Sequence, residues 1–211
     1  MIHIHKGEEP EVLKNHKETW TKEYTEALET GDTIPNTIRY RYRHKDIKDA
    51  LRKEAANKCI YCERKIPFGE TDHIVPVSKH PELIVDWDNL GLSCKECNTY
   101  KGNYYDENEQ LINPFEDQPD EHLLFFGPMI LQRVGDMKGF RTVEKLRLRR
   151  TELIERRKER IEQLQGLIEQ WNSLPEGKTK EITRKKIMEE AQNDKEFSAI
   201  VLAYLSQALG W

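Results

Sequence analysis

All four cysteines of this 211-residue chain sit in two Cys-x-x-Cys pairs, Cys59–Cys62 and Cys94–Cys97. Each pair puts two thiolates on one tight turn. Two such turns facing each other supply a closed tetrahedral site of the kind that holds structural zinc. A redox dithiol is the other use of the motif, but doubled pairs with basic neighbours favour zinc. The 31 residues from Glu63 to Ser93 exceed what a simple ribbon or finger needs, so something besides a zinc knuckle is built between the pairs. The reactive residue types lie there: Asp72-His73 and Asn89 in the gap, and Asn98 directly after the last cysteine.

The rest of the composition bounds the function class. Charged residues make up 34% of the chain and apolar ones 36%, with few Gly and Pro, which suits exposed helices. A formal net charge of -4 argues against a protein that coats nucleic acid indiscriminately, whereas an enzyme on nucleic acid needs only a local basic groove. The opening Met1–Lys6 lacks the apolar core of a signal peptide, and no apolar run reaches membrane-spanning length. With every thiol in a metal-type pair, a reducing cytoplasm is the expected location.

Read in order, residues 1–8 predict a short extended lead in which His3 and His5 alternate with Ile2 and Ile4; an edge strand explains this better than a metal site. Helical spacing from Glu9 to Glu29 predicts an amphipathic helix stopped by Gly31. Residues 32–43 are a connector containing Arg39-Tyr40-Arg41-Tyr42-Arg43. Alternating Arg and Tyr suits a nucleic-acid groove, with Arg39 and Arg41 on phosphate, and equally suits a helix start or a half-buried strand. A second helix is expected over 44–57, and a polar loop over 104–118. A short strand is expected over 121–126, ended by Gly127-Pro128. Val143 to Trp171 carries one apolar stripe, interrupted by Arg150 and Arg157, that predicts a single helix of about thirty residues. Packing is its first expected use, partner docking its second and nucleic acid its third. A shorter helix over 179–193 follows, and then Phe197–Leu209, apolar on nearly all sides and so expected to be buried or at an interface.

Asp72-His73, Asn89 and Asn98, framed by the paired Cys-x-x-Cys motifs, resemble the HNH nucleases of the His-Me finger (ββα-metal) group. The wider frame, a helix leading into LRKEAANKCIYCERKI, then DHIVPVSKHPEL and a helical tail, resembles the PtuB family of Septu-type and some retron anti-phage systems. The resemblance implies an α+β fold: a small ββα-metal core with a structural four-cysteine zinc site, flanked by N-terminal helices and a mainly helical C-terminal region. It divides the chain into 1–57, a nuclease core at 58–115, and 116–211 as a partner-docking region. It also implies roles. His73 would activate water. Asp72 and Asn98 would hold a catalytic Mg²⁺ or Mn²⁺ through hard oxygen donors, and Asn89 would pin the loop between two strands. Cys59, Cys62, Cys94 and Cys97 would hold zinc. Apart from the resemblance, Lys101 is a candidate phosphate contact or simply a solvated surface lysine. Asn98 stands where the eponymous pattern has histidine, which leaves the metal preference open.

The leading expectation is a metal-dependent endonuclease leaving 5′-phosphate and 3′-hydroxyl ends, with DNA favoured and RNA such as tRNA the other candidate. The resemblance adds a PtuA-like ATPase partner in a hetero-oligomer. The alternative from another class is a zinc-stabilised adaptor or nucleic-acid-binding module without catalysis, which needs the cysteines but neither Asp72 nor His73. A homing or restriction nuclease is a third reading, weakened by the lack of any base-reading motif.

Overall fold

In the computed structural model, which describes residues 1–31 and 33–210, three helices lead into the cysteine-bearing segment. They are α1 (Glu11–Glu29), the single turn α2 (Asn36–Arg39) and α3 (Lys45–Glu54). Strands β1 (Glu70–His73) and β2 (Leu90–Ser93) pair antiparallel, with Glu70 opposite Ser93 and His73 opposite Leu90. Helix α4 (Lys95–Lys101) follows β2 through Cys94 and packs on β1. Beyond it come α5 (Pro119–His122), the hairpin β3 (Leu123–Phe126) and β4 (Met129–Gln132), and then α6 (Met137–Lys145), α7 (Thr151–Ser173), α8 (Lys178–Glu189) and α9 (Ser198–Leu209). This is the mixed helix and small-sheet fold that the sequence predicts. Among the described residues no helix is long and apolar enough to cross a membrane.

The main core gathers around β2, all four residues of which are buried. Ile47 and Leu51, one turn apart on α3, pack with Leu13 of α1 against Leu90 and Leu92. Gly91 lets the core close tightly between those leucines, since a Cβ there would lie 2.4 Å from Ile60 Cδ1 and displace that buried side chain. A smaller core joins Leu164 and Ile168 of α7, Ile187 of α8, and Val201 and Leu205 of α9. The apolar α9 is thus partly interior, as its composition requires, although Leu202 remains 53% exposed.

Three expectations need correction. Residues 1–10 form no strand; they cross the core singly, with Ile4 N–H donating to the Pro114 carbonyl at 2.8 Å. Lys6 fixes this crossing: its ammonium donates to the Leu90 carbonyl at 2.6 Å and lies 3.9 Å from the Trp87 ring centre. Second, Glu121 and His122 of the expected strand belong to α5; the strand itself forms at Leu123–Phe126, as one arm of a hairpin that Gly127 (φ 52°) turns into β4. Third, the stripe from Val143 to Trp171 is two helices rather than one. Arg147 adopts a left-handed backbone (φ 47°), Arg147 N–H bonds the Glu144 carbonyl and Leu148 N–H bonds the Val143 carbonyl. That pair of bonds is the Schellman helix stop, here built on arginine where glycine is usual. Burial of Leu146 and Leu148 on either side offsets the backbone strain.

The break at Arg147 brings Arg150 to the cysteines. The Sγ atoms of Cys59, Cys62, Cys94 and Cys97 all lie within 4.8 Å of one another and all four residues are buried. Zinc–sulfur bonds of about 2.3 Å set sulfur–sulfur edges near ~3.8 Å in a tetrahedron. Cys62 and Cys94 are 3.9 Å apart and no disulfide joins any of the four, so the cluster fits a tetrahedral ion of zinc's size. The Arg150 guanidinium lies 3.7 Å from Cys97 Sγ and 3.9 Å from Cys94 Sγ, where its charge offsets that of the thiolates.

The same knuckle ties down the C-terminal region. Glu63, beside Cys62, has a left-handed backbone (φ 61°) and is buried. Its carboxylate accepts from Ser198 Oγ at 2.7 Å, from Lys58 Nζ at 3.5 Å and from the Met1 amino group at 2.5 Å. Its carbonyl accepts from Phe197 N–H at 3.3 Å. Cations on two sides therefore hold a buried carboxylate ionised at the start of α9.

Removing the cluster's metal should unfold more than the knuckle. Structural zinc contributes about 10–16 kcal/mol to small sites, as much as a whole domain's net stability of about 5–15 kcal/mol. Chelation or Cys97→Ser should abolish the cooperative melt followed by circular dichroism, with metal content falling from one ion per chain. Glu63→Met should cost about 3–5 kcal/mol by leaving the buried Lys58 and Met1 amino groups without their counter-ion, and adding Lys58→Met should recover part of that loss in chemical denaturation.

Candidate active site

The β1–β2 pair and α4 enclose a cleft whose walls include Tyr42, Arg43, Glu70, Asp72, His73 and Asn98. Successive residues of a strand face opposite ways. Asp72 and His73 can therefore reach separate partners while lining the same cleft. The His73 ring is almost buried, and its Nε2 lies 2.8 Å from the Ile84 carbonyl oxygen. A carbonyl only accepts, so Nε2 carries the proton and Nδ1 keeps its lone pair. Tyr42 packs edge-on against this ring at 4.6 Å between centres. Burial pushes the imidazole below its usual value, opposed by the Ile84 hydrogen bond and Asp72 and reinforced by Lys101 and Arg43. The ring is therefore neutral near pH 7 and able to accept a proton.

The loop that supplies the Ile84 carbonyl is clamped by Asn89. Its Oδ1 accepts from Val75 N–H at 2.7 Å, and its Nδ2 donates to the Val75 carbonyl at 3.0 Å. One side chain thus satisfies both main-chain groups of a residue two positions beyond His73. The buried Asn89 sits immediately before β2, so the clamp spans the two ends of the inter-strand loop.

Asp72 is buried and held from two sides. Tyr61 Oη donates to Oδ2 at 2.6 Å, and Lys101 Nζ lies 3.2 Å from Oδ1. Burial first, and then the Asp72 charge, keep the Tyr61 hydroxyl protonated far above its ordinary range, so it remains a donor. Lys101 also donates to the His73 carbonyl at 2.6 Å. Sequence reasoning treats Lys101 as a surface cation available to phosphate; the structure buries it, 3% exposed, as a strut between α4 and β1. Asn98, in the middle of α4, donates Nδ2 to Glu70 Oε2 at 2.7 Å. Glu70 is the carboxylate that sequence reasoning passes over. Its position two residues before Asp72 on a strand is the signal that would have found it.

Asp72, Glu70 and Asn98 thus line one cleft with oxygen-bearing side chains, different in kind from the four sulfurs, although Tyr61 and Lys101 already engage both Asp72 oxygens. Arg39 and Arg41 are not brought there. Arg41 pairs with Glu23 of α1 and donates Nε to the Thr37 carbonyl at 3.1 Å, while Arg39 is exposed and absent from the cleft walls. The Arg/Tyr run instead delivers Tyr42 and Arg43, and α3 adds Lys48. His80 pairs with Glu82 at 2.9 Å and stays outside the cleft.

Comparison with known proteins agrees with this geometry. Residues 59–104 match the family model described as HNH endonuclease. A Septu protein PtuB of Bacillus thuringiensis is 34% identical over 152 residues, covering 70% of this chain and 54% of that protein. A Septu protein PtuB of Bacillus mycoides (strain KBAB4) is 30% identical over 194 residues, covering 74% of this chain and 66% of that protein. The chain thus spans between about half and two thirds of the curated relatives it matches. It carries an HNH endonuclease domain at residues 59–104 and is a relative of the Septu proteins PtuB.

Proposed function

We propose that this protein is a metal-dependent HNH endonuclease that hydrolyses phosphodiester bonds in nucleic acid, with His73 as general base, and acts in the cytoplasm as the effector of an anti-phage defence system. The observation that carries the reading is the fixed tautomer of His73. Nε2 is committed to the Ile84 carbonyl, and Nδ1 is left as a proton acceptor in a cleft that also holds Asp72 and Asn98.

In this reading each residue has a chemical task. His73 Nδ1 takes the proton of the attacking water, and burial keeps the ring in its basic form. The Asn89 clamp on Val75 fixes the loop that orients the ring. Asp72 and Asn98, with Glu70 beside them, would hold a Mg²⁺ or Mn²⁺ ion. Such an ion, when bound, neutralises charge on the phosphoryl and leaving oxygens. Arg43 and Lys48 give the cleft the local positive charge that the whole chain lacks. Zinc in the four-cysteine site does no chemistry and holds the loop-rich motif together. DNA is the favoured substrate, and a PtuA-like ATPase is the proposed partner, docking on the C-terminal helices. Restraint by such a partner accounts for a nuclease that its host tolerates.

The test is cleavage of plasmid DNA and of total RNA by wild-type and His73→Ala protein with Mg²⁺, Mn²⁺ or EDTA, repeated with the ATPase present. Cutting by the wild type that needs the added ion and falls about 10²–10⁴-fold in the variant is the expected result. Equal cutting by the two proteins excludes His73 as the base. If neither cuts with the ATPase present, yet His73→Ala still supports defence in cells, the protein is an adaptor. Asn89→Ala should lower the turnover rate more than substrate affinity, while leaving the content of cluster-bound metal unchanged. A loss confined to affinity would count against the clamp.

A further inference from the structure

A second cavity, of about 300 Å³, lies behind the catalytic loop. It is bounded by Ile74 and Val75, which follow His73, and by the segment from Tyr104 to Glu116. Lys101 lines both this cavity and the catalytic cleft, so the two are neighbours across one side chain. Tyr61, which donates to Asp72, lines it as well.

The two spaces differ in charge. The cleft carries Arg43 and Lys48. The cavity carries Asp86, Asp88 and Glu116, and the one cation among its described lining residues, Lys101, has its ammonium engaged by Asp72 and the His73 carbonyl. The cleft balances Arg43 and Lys48 against Glu70 and Asp72, whereas the cavity offers phosphate no free cation among its described residues, so phosphate favours the cleft. Leu111 and Ile112 provide apolar lining, Tyr104 and Tyr105 add aromatic side chains to the wall, and the volume is at the low end for a small-ligand site. A planar, neutral, aromatic ligand fits such a space. Among the acids, Asp86 is paired with Lys17, whereas Asp88 and Glu116 are exposed at the rim. A carboxylate only accepts hydrogen bonds, so the ligand edge it favours carries N–H donors. Guanine is the base whose pairing edge offers two adjacent N–H donors to one carboxylate, and an unpaired base can present that edge while stacking on aromatic rings.

Resting on the nuclease reading for its biological use, we propose that this cavity binds an unpaired guanine base of the substrate strand, with its phosphate in the neighbouring cleft. Asp88 and Glu116 then set base preference without taking part in the chemistry, and the strand must be single-stranded or locally unpaired where the base enters.

Two measurements on the full chain test this. The first is a titration of isotope-labelled His73→Ala protein with guanosine and with thymidine, followed by NMR. Guanosine should shift the amide signals of Tyr104, Leu111 and Asn113 saturably, thymidine should not, and Asp88→Asn/Glu116→Gln should remove the response. The absence of a guanosine response, or equal responses to both nucleosides, overturns the proposal whether or not the protein is a nuclease. The second is sequencing of the ends cut by wild-type protein from a randomised single-stranded oligonucleotide. Guanine should be enriched about tenfold at one fixed offset from the cut, and the double variant should cut with that enrichment gone. Cutting with no base preference, or a preference that survives in the double variant, refutes it. Guanosine binding by a protein that never cuts nucleic acid would uphold the cavity and remove the nuclease reading instead.

Discussion

Four thiolates gathered in one buried space set the terms for the rest of this structure. Unmetallated, they would repel one another and resist burial, so the fold must bring positive charge to them. A metal ion in the cluster would supply one such charge, and arginine supplies another. Arg150 lies against Cys94 and Cys97, and Arg157 is completely buried, donating to the Leu148 carbonyl at 2.8 Å. Burial pulls the Arg157 guanidinium down to about 10, against the charges of Cys62 and Glu63, so it stays cationic at neutral pH. Both arginines come from the C-terminal half of the chain. The cluster therefore joins the α6–α7 corner to the ββα unit as well as closing that unit's own ends.

That closure supports a ladder of only four residue pairs, on which the proposed chemistry depends. A two-stranded hairpin alone is marginal in water. Here β2 is buried under α3, β1 is backed by α4, and the inter-strand loop is clamped by Asn89. The resulting rigidity matters most at His73, whose ring direction depends on one carbonyl of that loop. Soft sulfur donors serve the scaffold and hard oxygen donors face the cleft. In the proposed reading this separation would keep two kinds of metal affinity apart without separate domains for them.

Much of this is legible in the sequence, for identifiable reasons. Cysteine spacing fixes four side chains to one point, so the cluster follows directly from the motif. Asp72-His73 gains its meaning from the cysteines on either side. Helices α1, α3 and α8 match the expected helices to within about three or four residues at each end, and the uniformly apolar segment from Phe197 to Leu209 is α9. The failures share a cause, since each depends on tertiary context. Arg150 and Arg157 interrupt an apolar stripe on paper, whereas their interior places are set by thiolates distant in sequence. Nothing local to Arg147 announces a helix stop, because arginine lacks glycine's freedom and only the burial of its neighbours makes the bend favourable. Lys101 looks like a solvated lysine until β1 is laid beside α4. Arg41 and Arg43 differ only by register on a short turn, and that register sends one to Glu23 and the other to the cleft.

On the proposed reading, hard and soft metals occupy different, predictable places in this fold. The most direct measurement is a crystal structure of the wild-type protein soaked in Mn²⁺, with anomalous diffraction collected at the zinc and the manganese absorption edges. The account predicts a zinc peak among Cys59, Cys62, Cys94 and Cys97 and a manganese peak beside Asp72 and Asn98, within the cleft that His73 faces. Manganese at the four sulfurs, or a cleft without manganese at concentrations that support cleavage, would contradict it.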